Sequence, residues 1–288
     1  MAAAVVAGPR AARRIAAPRP EPASGQVLVR VEGCGVCGSS LPVWEGRPWF
    51  EYPLAAGAPG HEVWGRLEDG TRVAALCFNG YAEWDVADED TVVELPAALD
   101  GLPFPGEALA CAVNVVERSG LHMGTHTAAA RRRMSTHVSP RIAVVGMGFL
   151  GTCIARIIGE VTEVRRDTPV EGEFDVVVEA AGTQSALDTA SRLVATGGTL
   201  VIAGFHQDGP RTVDLQSWNW RGLDVVNAHE RDPHVVVRGM RSAVALAVAG
   251  VLDLRALVTD FLPLAGIADA FELARRRPPG FVKAVVCP

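Results

Sequence analysis

The sequence has no excess of positive charge: 27 Lys and Arg stand against 33 Asp and Glu, giving a net charge of -6. Without a basic field, nucleic acid and anionic lipid are not expected as partners, and the run Arg131-Arg132-Arg133 is a local exception. Long hydrophobic runs are also lacking. The longest nearly uninterrupted stretch, Ala243 to Leu252, falls far short of the roughly 18 apolar residues that a membrane span needs, so no membrane partner is expected. Met1 to Gly8 is apolar but has no basic residues ahead of it, which reads as a first strand rather than a signal peptide. A cytoplasmic location is the expectation. Six scattered cysteines in 288 residues do not make a disulfide framework and are expected as thiols or metal ligands. No second Cys-x-x-Cys is present, which argues against a closed structural zinc site. No internal repeat or low-complexity tract stands out.

What is present divides into two characters, as the usual prior of roughly 150 residues per domain allows. From Val5 to about Val93, short β-rich runs such as 27–31 and 63–67 are broken by Gly and Pro, with Asp69-Gly70 as a turn. A helical stretch, 106–118, follows. Beyond it, the apolar runs 142–145, 176–178 and 200–203 alternate with helical patterns at 146–158 and 185–194, predicting a parallel sheet covered on both faces. An outer strand is expected at 223–226, a helix at 267–277 and a last strand at 281–286. Between the two halves, His122 to Pro140 is a polar, basic connection without a period, read as a loop. His122, His126 and His137 within it are more simply solvated loop residues than metal ligands.

Two constellations carry chemistry. Cys34 and Cys37 lie in the turn Gly33-Cys34-Gly35-Val36-Cys37-Gly38, and His61-Glu62 follows Pro59-Gly60. Thiolate, imidazole and carboxylate together suit an open catalytic zinc site that leaves a position for water or substrate. Chance spacing is the competing reading of these residues alone. Glu107 at the start of the helical stretch, with Cys111 one turn later, can project toward the same site, although a Glu there also suits the helix dipole.

The second constellation is Gly146-Met147-Gly148-Phe149-Leu150-Gly151, which follows a buried strand and opens a helix. In that context the glycines permit a tight turn, close approach to a pyrophosphate and helix packing, with the helix N-terminus facing the anion. Only a short segment separates Gly151 from Phe174, too little for a complete mononucleotide-binding half. Val161 to Val164 can supply a brief second strand, so one strand and one helix are expected to be missing.

With both in view, the chain resembles the medium-chain dehydrogenase/reductase superfamily, and within it the zinc-containing polyol dehydrogenases related to sorbitol dehydrogenase. The matches run in family order: 35–39, 60–62, 146–151, Glu179-Ala180-Ala181-Gly182, and Phe281-Val282-Lys283. The resemblance implies an α/β chain with a GroES-like β-rich catalytic domain (1–117 and 246–288) and a shortened Rossmann domain (118–245), the active site lying in the cleft between them. It further implies Cys37 and His61 as zinc ligands with Glu62 or Glu107 completing the shell, and Ser39 as the hydroxyl that takes the substrate proton. Gly182, Gly204 and Phe205 would lie along the nicotinamide, and Lys283 near the pyrophosphate. Three departures stand out: the cysteine-rich structural-zinc lobe is absent, Ser40 replaces the usual Asp, and Pro42 stands where many members have a relay His.

The function these readings predict is hydride transfer between NADP or NAD and an alcohol, polyol or cyclitol-like small molecule. The alternative is a zinc-using non-redox lyase, epimerase or cyclase on the same scaffold. Arg165 and Arg166 lie 19 and 20 residues beyond Gly146, where a planar guanidinium would suit a 2′-phosphate and favour NADP. Asp167 becomes the ribose partner if the register shifts. Trp44, Trp49, Phe50 and Trp84 are either pocket or β-domain core. A homodimer is expected through the apolar edge 223–226 with Trp218 and Trp220.

Overall fold

The computed structural model describes residues 1–122, 125–126 and 140–288. The chain forms two units, the first comprising Met1–Ala110 and Asp232–Pro288, the second Cys111–Arg231. Arg131 to Arg133 and His137 lie outside the described residues. At the start of the expected basic loop, residues 121–122 and 125–126 form a short antiparallel ladder.

The first unit begins with β1 (Ala2–Gly8) paired to β2 (Ala11–Ala16). Its hub is β3 (Gln26–Gly35), in which Val29 and Val31 are buried while Arg30 between them is exposed. That is the period of two expected for a strand with one face on a core. After the short helix α1 (Leu41–Glu45) come β4 (Glu62–Arg66), β5 (Arg72–Ala75), β6 (Trp84–Asp88) and β7 (Val92–Glu94), and then α2 (Gly106–Arg118), which continues past Ala110 into the second unit. The chain returns to this unit as α6 (Pro233–Val248), α7 (Leu254–Leu257), β15 (Asp260–Pro263), α8 (Ile267–Arg276) and β16 (Ala284–Cys287). The seven strands of its main sheet run β15-β16-β3-β4-β5-β7, with β6 also on β3. Helix α8 buries Ile267, Ala270, Phe271 and Ala274, one stripe at i, i+3, i+4 and i+7.

The two-stranded ladder supplies β8 (Leu121–His122) and β9 (Thr125–His126). The rest of the second unit alternates strand and helix: β10 (Ile142–Val145), α3 (Phe149–Ile158), β11 (Thr162–Val164), β12 (Phe174–Glu179), α4 (Gln184–Leu193), β13 (Val194–Ile202), α5 (Leu215–Arg221) and β14 (Asp224–Asn227). All four pairings are parallel, in the order β11-β10-β12-β13-β14. Every residue of β10 is buried, as a strand covered on both faces requires. Set against the six-stranded order 3-2-1-4-5-6, the outermost strand is absent. Residues 165–173 cross from β11 to β12 without a helix. The architecture is thus the expected GroES-like β-rich unit with a shortened Rossmann unit.

The units divide at 110/111 and 231/232, where 117/118 and 245/246 were expected. Helix α6 packs on β7 through a face that buries Val237, Met240, Ala243 and Leu246, so 232–245 belongs with the first unit.

Candidate active site

Strand register assembles the first constellation. Gly35, at the end of β3, is paired with Glu62 at the start of β4 on one side and with Val285 of β16 on the other. Cys37 leaves β3 two residues after Gly35, and His61 enters β4 one residue before Glu62, so residues far apart in sequence become neighbours. The ligand atoms of Cys37, His61 and Glu62 lie within 4.8 Å of one another. This donor set fits zinc, whose bonds to sulfur, imidazole nitrogen and carboxylate oxygen are about 2.0–2.3 Å long. Glu107, in the first turn of α2, places Oε2 4.0 Å from His61 Nε2. Ser39 donates to Cys37 Sγ at 3.1 Å and stands 3.4 Å from His61 Nε2. The other imidazole nitrogen, Nδ1, is 2.8 Å from the carbonyl of Pro59, which fixes the ring and leaves Nε2 for a ligand.

The electrostatics call for a cation. Burial alone would lower the His61 pKa, but a hydrogen bond and charge from Cys37, with Glu107 and Glu62 nearby, hold it up at about 10.

Glu62 is fully buried, and its carboxylate passes over Gly35 to meet Lys283 Nζ at 2.6 and 2.8 Å. A Cβ at position 35 would overlap Glu62 Oε2, so the glycine is what opens this path. Burial would lower the Lys283 pKa, but the facing Glu62 raises it and keeps the ammonium charged. Lys283, which the resemblance puts near the pyrophosphate, is here the buried counter-charge of Glu62. The reason is that a buried carboxylate requires one. Gly35, expected in a turn, ends β3 instead, and only that place makes it the mark of this close approach.

Cys34, read with Cys37 in one turn, belongs instead to strand β3. It is fully buried in the core, burial pushes its thiol pKa well up, and it lies outside the group of converging ligand atoms. Cys111 is likewise outside the cluster of converging ligand atoms. Trp44 is core: it stacks on Phe271 with ring centroids 5.0 Å apart and donates to Glu272 at 2.9 Å. Trp84 carries the Arg19 guanidinium 3.9 Å above its ring, while Trp49 is exposed.

In the second unit, Gly146 follows β10 with φ +98°, and Gly148 is the N-cap residue of α3. A Cβ at Gly151 would overlap the carbonyl oxygen of Gly146, so the third glycine lets the helix begin against the turn. Phe149 and Leu150 form the first turn of α3, whose N-terminal amides suit a phosphate. Arg165 and Arg166 follow β11 directly and are exposed, Arg165 pairing with Glu163 at 2.8 Å. Gly182 lies just beyond β12, and Gly204 and Phe205 just beyond β13, at the carboxyl ends of parallel strands where this sheet type binds ligands. Phe205 stacks on His229 with centroids 5.4 Å apart.

No model of a known protein family matches the chain. A protein of Mycobacterium tuberculosis named probable zinc-binding alcohol dehydrogenase is 25% identical over 96% of this chain and 86% of its own length. The L-galactonate-5-dehydrogenase of Escherichia coli is 20% identical over 88% of this chain and 89% of its own. Among solved structures, a protein of Sinorhizobium meliloti named putative zinc-binding dehydrogenase, bound to NADP, superposes with a TM-score of 0.78 at 20% identity, covering 100% of this chain and 99% of that one. The resemblance to zinc-containing alcohol and polyol dehydrogenases of the medium-chain superfamily thus extends along nearly the whole chain.

Proposed function

We propose that this chain is a zinc-dependent oxidoreductase that moves a hydride between NADP or NAD and an alcohol, polyol or cyclitol-like substrate. The observation that carries this reading is the convergence of Cys37, His61 and Glu62 within 4.8 Å beside the Ser39 hydroxyl. Cys37 and His61 hold the ion, with Glu62 or Glu107 as the third ligand. Zinc there supplies Lewis-acid chemistry, lowering the pKa of a substrate hydroxyl. Ser39 takes the proton released and passes it outward. Pro42 cannot relay it, and the buried Ser40 hydroxyl has no partner among the described residues, so the path ends in water or another group.

The turn 146–151 holds the pyrophosphate at the start of α3, and Arg165 and Arg166 favour a 2′-phosphate, hence NADP. Gly182, Gly204 and Phe205 line the nicotinamide. The non-redox alternative loses support because the relatives are named dehydrogenases and the glycine turn is intact. No helix among the described residues is long and apolar enough to cross a membrane. A cytoplasmic location agrees with six cysteines that form no disulfide.

The test is Cys37→Ala, measured for zinc content and for alcohol oxidation with each nicotinamide. Loss of both zinc and turnover is expected. Full activity without zinc would overturn the reading.

A further inference from the structure

Glu179 ends β12 with a fully buried carboxylate. Its Oε1 accepts from the backbone amides of Ala181 at 2.8 Å and Gly182 at 2.7 Å, holding the turn that leaves β12. Its Oε2 lies 3.0 Å from His206 Nε2, on the loop that leaves the neighbouring strand β13. His206 Nδ1 in turn accepts from Arg211 Nε at 2.8 Å, and Arg211 Nη2 donates to the Gly182 carbonyl at 2.9 Å and to Asp208. The chain of contacts therefore closes on itself. Both the amide and the carbonyl of Gly182 are held, one by Glu179 and the other by Arg211.

Chemistry selects one state for the imidazole. Arginine Nε can only donate, so Nδ1 must be the acceptor, and a carboxylate at Nε2 then requires the proton there. The ring is a neutral spacer that donates on one side and accepts on the other. It joins two loops that leave adjacent parallel strands, and both loops carry residues read above as lining the nicotinamide.

We propose that His206 and Arg211 are positioning residues for the nicotinamide end of the cofactor: they act through Glu179 and Gly182 to hold the 180–182 and 203–206 loops in a ligand-ready geometry. This rests on the dinucleotide reading of the second unit. Binding then costs less ordering of these loops, so the effect belongs in cofactor affinity rather than in zinc binding.

The discriminating replacement is His206→Gln, because a carboxamide also pairs one donor with one acceptor at similar spacing. His206→Leu keeps bulk and loses both. Titrating NADPH and NADH fluorescence into the full chain, with zinc content measured in parallel, we expect His206→Leu to weaken binding about tenfold, the worth of one well-placed hydrogen bond. His206→Gln should stay within about threefold of the unmodified chain, and zinc content should be equal in all three. Wild-type affinity in His206→Leu, or equal weakening in Gln and Leu variants, overturns the proposal. Should the Leu variant not fold, Arg211→Lys reads the same relay, since an ammonium cannot reach Nδ1 and the Gly182 carbonyl together; unchanged affinity there is equally fatal. Failure of the unmodified chain to bind either nucleotide would instead strike the dinucleotide reading itself.

Discussion

Lys283, the only lysine in the chain, has its ammonium on both carboxylate oxygens of Glu62, at 2.6 and 2.8 Å, across the bare backbone of Gly35. Every other basic side chain except histidine is an arginine. A compact ammonium can enter the space over β3, and its partner is a candidate metal ligand. The pair therefore couples the stability of the first unit to the charge of the metal cluster.

Replacing Lys283 with Met keeps length and removes the charge, leaving a buried carboxylate unpaired. The free energy of unfolding of metal-free protein should fall by about 3–5 kcal/mol, the usual result of removing one partner of a buried pair. Zinc loading should recover part of the loss, because a cation beside Glu62 supplies the missing charge. Denaturant titrations of both forms check this, and wild-type stability in the metal-free variant would refute it.

Ser39→Ala removes the hydroxyl that lies between Cys37 and His61 without touching a ligand atom. Zinc content should be unchanged, and kcat should fall about 10²–10⁴-fold, the range for losing a positioned proton-transfer group. The outcome that counts against the role is a variant with unchanged kcat.

Arg165→Ala and Arg166→Ala should weaken NADP(H) by about tenfold or more while leaving NAD(H) within about twofold, since only the former has a 2′-phosphate to lose. Arg165 pairs with Glu163, an exposed contact that a phosphate can displace. Equal losses for both cofactors, or a wild-type preference for NAD(H), would point to Asp167 and the ribose.

Strand β14 is an open edge of the parallel sheet, with Val225 41% exposed and Trp220 of the preceding helix 90% exposed. We expect two copies to pair there, covering both. Val225→Glu combined with Trp220→Glu should then give a monomer by light scattering. A wild-type protein that is already monomeric at micromolar concentration would rule the pairing out.

Local pattern was enough for the elements. Apolar runs such as 142–145 and 176–178 can satisfy themselves only as strands covered on both faces, and the glycines of 146–151 mark a turn whatever surrounds them. Spacing also exposed the missing strand and helix, because chain length limits what can lie between Gly151 and Phe174. Helix α6 was not legible, since its buried face is set by β7 and its neighbouring turns. The candidate ligands Cys37, His61 and Glu62 could be named from motif and resemblance, but their convergence needed the antiparallel register of β3 and β4. What Lys283 does was undecidable along the chain. It lies 221 positions from Glu62, and only the three-strand register around Gly35, together with the cost of a buried unpaired charge, makes it the partner of a candidate metal ligand.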